Sequence, residues 1–543
     1  MSVRKTLVLL LAVFALSFLV ACGGGGNGTV TNPIAPPTGS FSATSLNGTY
    51  VFSVSGVDQN NGAPYAILGT LIANGSGKIT GGTLDINDSA EFTSPAAGAT
   101  INNNGFYSVT ADGRGQATIG TNISNFQNLT FDFVLSSSSH GLITEFDSFG
   151  SGSGTLDLQA SNTTPTGAYA FSLSGASSSG TPWAAVGNFA ISGASVTGLE
   201  DLAEGPLLAY TNQPLTGSLA LTSSNGPATT LTTTAFNGLF DVFAIDSTQL
   251  KFIEMDNTAT LSGDAFAQTS TALPTGNLSF TLLGATSAGA PFAAGGIMSN
   301  SSGAGGAVTG TEDYNSDGSL SSATTPGPFS ATLTADGVGR YTLGGFATFV
   351  GGSSYAAYPS SGGLLLLEID SGGITVGAAY AQTAGATFAA SQGYGLNLSG
   401  TNLGAATGSI QEVDDIAEFT ANSNATISGV LDENFSPGGS PQSGLPLVTS
   451  GSNFGAIDTS GRYGLSVAVG NNNVSSLEGG LTLTFYAVDG TTFPFIESDS
   501  GQVATGVIVL QNPSAATPAL SKSHNLFVPR PLIHPHTKEQ KNK

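Results

Sequence analysis

Among 543 residues there is a single cysteine, Cys22, so the chain cannot form an internal disulfide and must hold its fold by packing and hydrogen bonding alone. Charge is also scarce. Asp, Glu, Lys and Arg make up 9% of the residues, against about a quarter in ordinary soluble domains. Cations are scarcest of all: 12 Lys and Arg stand against 35 Asp and Glu. Between residues 46 and 512 the cations are Lys78, Arg114, Lys251, Arg340 and Arg462. An acidic body with so few cations cannot neutralise a run of phosphates, which argues against nucleic-acid binding. His140 is the one histidine in that span, so neither a histidine triad nor a zinc site can be assembled there. The body carries no EF-hand loop, no GxSxG and no phosphate loop.

What fills the gap is glycine (76 residues), serine, threonine and a 40% share of hydrophobic residues. Low charge with that much apolar content does not describe a solvated disordered chain. Long polar helix formers are few, while β-branched, aromatic and turn residues are plentiful. The composition predicts an all-β protein with many turns, and the length predicts several cores rather than one.

The chain opens "MSVRKTLVLLLAVFALSFLVACGGGGNG". Arg4 and Lys5 precede an apolar run from Leu7 to Val20, shorter than the roughly 20 residues of a membrane span but suited to a signal peptide. The run ends in Leu19-Val20-Ala21-Cys22, which resembles the lipobox of bacterial lipoproteins. That resemblance implies cleavage before Cys22, lipidation of its thiol and acylation of the new N-terminus, which together give durable membrane attachment. Gly23, not Asp, follows the cysteine. By analogy with enteric lipoproteins this implies the outer membrane. Residues 1–22 are thus expected to be a lipoprotein signal peptide, and residues 23–45 a flexible Gly/Pro/Ser tether.

Beyond the tether one pattern recurs four times. "LITEFDS", "FIEMDN", "LLLEIDS" and "PFIESDS" place Glu145/Asp147, Glu254/Asp256, Glu368/Asp370 and Glu497/Asp499 in apolar surroundings. Each pair is followed by a strand-like segment ending in Gln159, Gln268, Gln382 or Gln511, always 14 residues after the Glu. Each copy also starts alike, as "GTYVFSVSG", "GAYAFSLSG", "GNLSFTLLG" and, more weakly, "QGYGLNLSG". The expected units are 46–160, 161–269, 270–383 and 384–512, each large enough to own a core. Residues 513–543, basic and proline-rich, read as a disordered tail in which His534 and His536 make only a weak metal site.

Within the first unit eight alternating segments can be counted: 50–54, 65–72, 79–86, 106–110, 116–120, 129–135, 142–147 and 154–159. Asp-Gly in "ADGRG" suits a tight hairpin. Eight consecutive antiparallel strands predict an up-and-down β-barrel of the lipocalin/avidin size class, with a β-sandwich as the alternative.

In a strand, Glu254 and Asp256 share a face with Phe252, and Ile253 and Met255 take the other. Each Asp precedes Ser or Asn, which predicts turn capping through its side chain. The Glu is expected to mark the strand end and to accept hydrogen bonds, so the pair reads as structural rather than as a catalytic dyad or a calcium site. A better binding candidate is the aromatic of "GAPYA", "GTPWA" and "GAPFA", namely Tyr65, Trp183 and Phe292; the fourth unit has "TNLGAA" there. Near a barrel mouth such a ring could stack on a sugar or an apolar ligand, or plug the barrel as core.

The lipobox, the poly-Gly tether and the Glu-x-Asp/Gln repeat together resemble the tandem-repeat lipoproteins of acidobacterial type, for which the resemblance implies no defined function. The expectation is a non-enzymatic, lipid-anchored array of β modules in the cell envelope, without cofactor. It would touch the membrane through its anchor and would meet a glycan, a small apolar ligand or an envelope or surface protein. Its role would be binding, adhesion or envelope structure. A carrier of small apolar molecules or glycans is the alternative. An envelope hydrolase would need a nucleophile–base pair that the sequence does not display.

Overall fold

The computed structural model describes residues 40–513, apart from 89, 93, 125, 162–164, 178–179, 206–207, 223–225, 233–236, 303–304, 322–324, 338, 405–409, 456 and 471–479. Cys22, the tether up to residue 39 and the tail from residue 514, with His534 and His536, lie outside the described residues.

The body is all-β. Its strands form four antiparallel sheets, spanning Asn47–Leu158, Gly167–Ala267, Gly276–Ala381 and Gln392–Leu510. Each sheet closes into an eight-stave barrel, here numbered 1 to 4, so the barrel and not the sandwich is the architecture. First and last strands lie side by side in every barrel, with Tyr50 opposite Leu158, Tyr169 opposite Ala267, Leu278 opposite Ala381 and Tyr394 opposite Leu510. Barrel 2 is a plain circuit of eight strands. Barrel 1 departs from the eight segments read in the sequence. Its fourth stave is split between Ala96–Ile101 and Gly105–Val109, which pair with opposite ends of Lys78–Asp88. The polar "NNNG" between them hides the first half as a loop. Barrel 3 adds the two-residue strand Ser319–Leu320, and barrel 4 closes through the bridge Leu447–Val469.

Alternation within the strands sorts residues into barrel interior and outer wall. Phe252 joins the interior cluster of barrel 2, with Phe171, Phe189 and Phe240. Its neighbour Ile253 faces outward and is still fully buried, packed with Met255 and Phe243 against Val51, Ala66 and Leu68 of barrel 1. A second outer cluster draws Val134 and Leu142 from barrel 1, Val186 and Phe266 from barrel 2, Tyr358 and Leu367 from barrel 3, and Ile416 and Val509 from barrel 4. Much of the outer wall is therefore core as well. This is why strands such as Gly363–Glu368 ("GLLLLE") read as unbroken apolar runs and are buried along their whole length.

The glycine closing each "SG" or "LG" motif has a steric reason. A β-carbon at Gly56, Gly175 or Gly284 would fall 1.8–1.9 Å from a carbonyl oxygen of the last strand: Ser151, Thr260 or Ile374. Only glycine lets first and last strands approach closely enough to close the circuit.

Candidate functional site

The repeat signature turns out to occupy the junctions between barrels. Each last strand is nine residues long: Gly150–Leu158, Ala259–Ala267, Gly373–Ala381 and Gln502–Leu510. The Glu ends the strand before it, four residues make the turn, and the Gln follows, which fixes the spacing of 14. The Gln backbone N–H closes its own barrel, donating to the carbonyl of Thr49, Ala168, Asn277 or Gly393 at 2.8–2.9 Å. Its side chain reaches the next barrel. Gln159 Nε2 donates to Ala244 O (2.8 Å), Gln268 Nε2 to Pro359 O (2.7 Å), and Gln382 Nε2 to Ala487 O (2.8 Å) and Ser460 O (2.7 Å). Gln511 Nε2 returns to barrel 1, donating to Leu135 O (3.0 Å) and Asp112 O (2.7 Å). The contacts run 1–2–3–4–1, so the four modules form a closed circuit.

A second set of joints comes from the third strand of each barrel. Asn87 Nδ2 of barrel 1 donates to Glu254 O and Ala259 O of barrel 2 (2.8 and 2.9 Å). Asn315 of barrel 3 does the same to Asp499 O and Gln502 O of barrel 4 (2.8 and 2.6 Å). Asn434 of barrel 4 does so to Glu145 O and Gly150 O of barrel 1 (2.9 and 2.8 Å). Barrel 2 has Ala203 at this place, packed in the shared outer cluster.

Two residues before that position every barrel has an aspartate, and here the joints differ. Asp201 of barrel 2 is fully buried and takes a bidentate pair from Arg340 of barrel 3, Nε and Nη2 each at 2.7 Å, with Tyr358 OH donating at 2.6 Å. Asp313 of barrel 3 is held in the same way by Arg462 (2.7 and 2.6 Å) and Tyr486 OH (2.9 Å) of barrel 4. Asp85 of barrel 1 meets another carboxyl instead, Asp241 of barrel 2. Burial, followed by the Asp241 charge, pushes Asp85 up to about 8. At the fourth joint burial, followed by the charge of Asp432, pushes Asp132 up to about 7, although Gln116 and Arg114 act in the opposite sense.

Between barrels 1 and 2 a buried polar cluster adds to the joint. Lys251 Nζ lies 2.8 Å from Asp264 Oδ1 and 3.7 Å from Asp157 Oδ2, and His140 Nδ1 is 2.6 Å from Asp157 Oδ1. Lys251 stands three residues before its Glu, where the other barrels have Leu142, Leu365 and Pro494. The body's one histidine is thus spent on an interface.

Each Asp of the Glu-x-Asp pairs caps backbone amides. Asp147 accepts from Thr130 and Phe149 (both 2.7 Å), Asp256 from Leu239 (2.9 Å) and Thr258 (2.8 Å), Asp370 from Ser354 (2.7 Å) and Gly372 (2.6 Å), and Asp499 from Thr482 (3.2 Å) and Gly501 (2.9 Å). The Glu side chains are all buried on the barrel-interior face. Burial, then the neighbouring Asp, raises Glu145 well above the carboxylate range and Glu254 to about 10. Burial likewise carries Glu368 to about 8. Burial also pushes Asp256 upward, but hydrogen bonds from Thr258 and Leu239 outweigh it and hold Asp256 below its ordinary value. At neutral pH Glu254 is therefore a neutral acid beside the Asp256 carboxylate. The Glu, expected to accept hydrogen bonds, is by its burial also a potential donor.

The aromatic candidates are core. Tyr65, Trp183 and Phe292 belong to the interior clusters of barrels 1, 2 and 3 and offer solvent no ring face for stacking. Tyr65 packs edge-on to Phe149 at 4.8 Å. In barrel 4, Val413 holds the equivalent register, opposite Gly400 as Tyr65 is opposite Gly56. Among the described residues no group of three or more His, Cys, Asp or Glu is arranged to hold a metal ion, and no helix is long and apolar enough to cross a membrane.

No family model and no curated protein matches the sequence. Among solved structures, a single-site mutant of the vaccine antigen Transferrin Binding Protein B from Haemophilus parasuis Hp5 is similar at 7% identity and a TM-score of 0.20, over 90% of this chain and 99% of that one. A double mutant of the same antigen gives 8% identity and a TM-score of 0.19, over 90% and 98%. At such scores the likeness carries no argument about arrangement or activity.

Proposed function

We propose that the chain is a lipid-anchored protein of the cell envelope, held at the outer membrane by Cys22, whose four-barrel body is a rigid, non-enzymatic platform for binding. The observation that carries this reading is the use of the repeat signature. Gln159, Gln268, Gln382 and Gln511 each donate to the next barrel, so the recurrent chemistry builds a frame rather than a reactive pocket. Lys251, Arg340 and Arg462 are likewise spent on joints. The surface left over is acidic and poor in cations, which suits a glycan or an envelope or surface protein with a basic face and disfavours polyphosphates.

Fractionation of cells tests the anchoring. Wild type is expected with the outer membrane and Cys22→Ala in the soluble fraction, and an unmodified Cys22 in the mature wild type would overturn it. Sedimentation of the purified anchor-free body with isolated envelope tests the binding. Retention that falls when the 437–441 loop of barrel 4, between the strands Ile427–Ser436 and Gln442–Leu447, is shortened supports it. Absence of retention by any envelope fraction would refute it.

A further inference from the structure

We propose that barrel 3 is a ligand-binding module that admits one small apolar or aromatic molecule beneath the loop of residues 348–353 and the end of the strand Tyr341–Ala347 that leads into it. Under that loop lies a space lined wholly by apolar atoms; about 240 Å3 lies between its walls with the open solvent at the mouth included, but the enclosed part offers only about 10 Å3 of room. Met298, Phe329 and Leu343 form its wall, Phe346 and Phe349 its cover, and Tyr355 one side.

Barrel 1 shows what the same place looks like when it is filled. Its equivalent loop, between the strands Arg114–Gly120 and Asn128–Leu135, drives Phe126 home to 1% exposure, against Phe149 at 4.4 Å and Phe92 at 5.1 Å. Barrel 4 fills its interior with Phe388, 4.0 Å from Tyr394 and 4.6 Å from Phe493. In barrel 3, Phe346 and Phe349 stay half-buried, 4.6 Å from each other, with the space beneath them.

The cover is held closed by a few polar bonds, Val350 N–H to Glu312 Oε2 (3.0 Å), Gly352 N–H to Tyr355 OH (3.2 Å) and Ser353 Oγ to Asp370 Oδ2 (3.0 Å), and has glycines at both ends. Gly344 and Gly345 precede it, Gly351 and Gly352 end it, Gly345 has a φ of +67° and Thr348 one of +66°. Glycine pairs at both ends let the backbone change direction at little steric cost. The closed space is small, so a whole ring enters only as the loop swings out. The ligand class follows from the lining. With no polar atom facing the space, a charged or strongly polar guest would lose its hydration without compensation, whereas an apolar guest gains contacts that the empty site lacks. The polar group on the lining residue Tyr355, its OH, is already engaged by Thr375 Oγ1 (3.1 Å) and Gly352 N–H (3.2 Å).

This assignment is independent of the anchoring and platform reading. It can be tested on the whole body because methionine is rare. Besides Met1 there are two, Met298 in the wall of the site and Met255 in the joint between barrels 1 and 2. The protein carrying 13C-methyl methionine is titrated with toluene and followed by methyl NMR. The expected result is a saturable ring-current shift of Met298 with Met255 unmoved. Leu343→Phe, which fills the space, is expected to abolish the shift. Phe346→Ala, which thins the cover, is expected to retain it and to extend it to naphthalene, and it serves alone should Leu343→Phe fail to fold. No shift of Met298 up to the solubility of toluene would overturn the proposal. So would equal shifts at both methionines, an unchanged response in Leu343→Phe, or a response to naphthalene in Phe346→Ala no greater than in wild type.

Discussion

Gln511 and Leu135, 376 residues apart in sequence, are joined by a hydrogen bond of 3.0 Å from the Gln511 side chain to the Leu135 carbonyl. With the second bond to Asp112 O it fastens barrel 4 to barrel 1. Gln511→Ala removes both donors and leaves one carbonyl in a buried seam without its partner, at a cost of about 1–3 kcal/mol. Chemical denaturation measures that cost. Amide exchange is expected to quicken first around residues 111–114 and 134–136, and a uniform rise over the whole body would count against a local seam.

Arg340 and Asp201 form the most enclosed of the joints, both side chains at most 2% exposed. Arg340→Met leaves Asp201 buried with Tyr358 OH and the Asn212 N–H as its remaining donors, and breaking a buried pair by removing one partner costs about 3–5 kcal/mol. Arg340→Lys is expected to recover little, since an ammonium cannot reproduce the two-pronged geometry. Urea melts of the two variants decide this, and near-equal midpoints for Lys and wild type would contradict it.

The pH dependence should run opposite to that of most proteins. Asp132 is raised to about 7, Asp85, Glu312, Glu368 and Glu418 to about 8, and Glu254 to about 10, with burial the largest cause each time. The unfolded chain releases these protons near pH 4, while the native state keeps them, so native binds more protons than unfolded across the interval. Stability then falls as pH rises from about 4, and the contribution of Asp85 is gone above about 8. Thermal midpoints are expected to be higher at pH 5 than at pH 9. The reverse order would refute the carboxyl-pair description of the joints flanking barrel 1.

Glu254→Gln isolates one part of that effect. Glutamine has nearly the shape of the neutral acid and cannot ionise. The variant is expected to match wild type near pH 5, to exceed it at pH 9, and to show a flatter profile between. A variant less stable than wild type at every pH would mean that the acidic proton itself is needed by Asp256. Glu254→Ala, by contrast, opens a hole at the barrel end and should lose stability throughout.

Recurrence in the sequence made the four modules, the barrel class and the Glu-to-Gln spacing legible. The role of the Gln was not legible, because its partners are backbone carbonyls, which every residue type carries alike. The capping Asp was readable from the Ser or Asn after it, a local signal, whereas the Asp of the third strand was invisible until Arg340 and Arg462 were found across the joint. Tyr65, Trp183 and Phe292 stood out by following proline, but the sequence could not say whether such a ring looks outward or inward. Outward residues such as Ile253 and Leu367 broke strict alternation, and that departure was the sequence's trace of neighbours on the outside of the wall.

A head-to-tail contact that returns to its start behaves differently from the stacking of a solenoid, where one more repeat extends the structure. Here Gln382 needs barrel 4 and Gln511 needs barrel 1, so the number of modules is fixed by the turn made at each joint. A variant with three or five copies would not be a shorter or longer version of this protein. It would be a split washer, with the apolar walls around Val134 and Val509 bared at the gap and open to a second molecule.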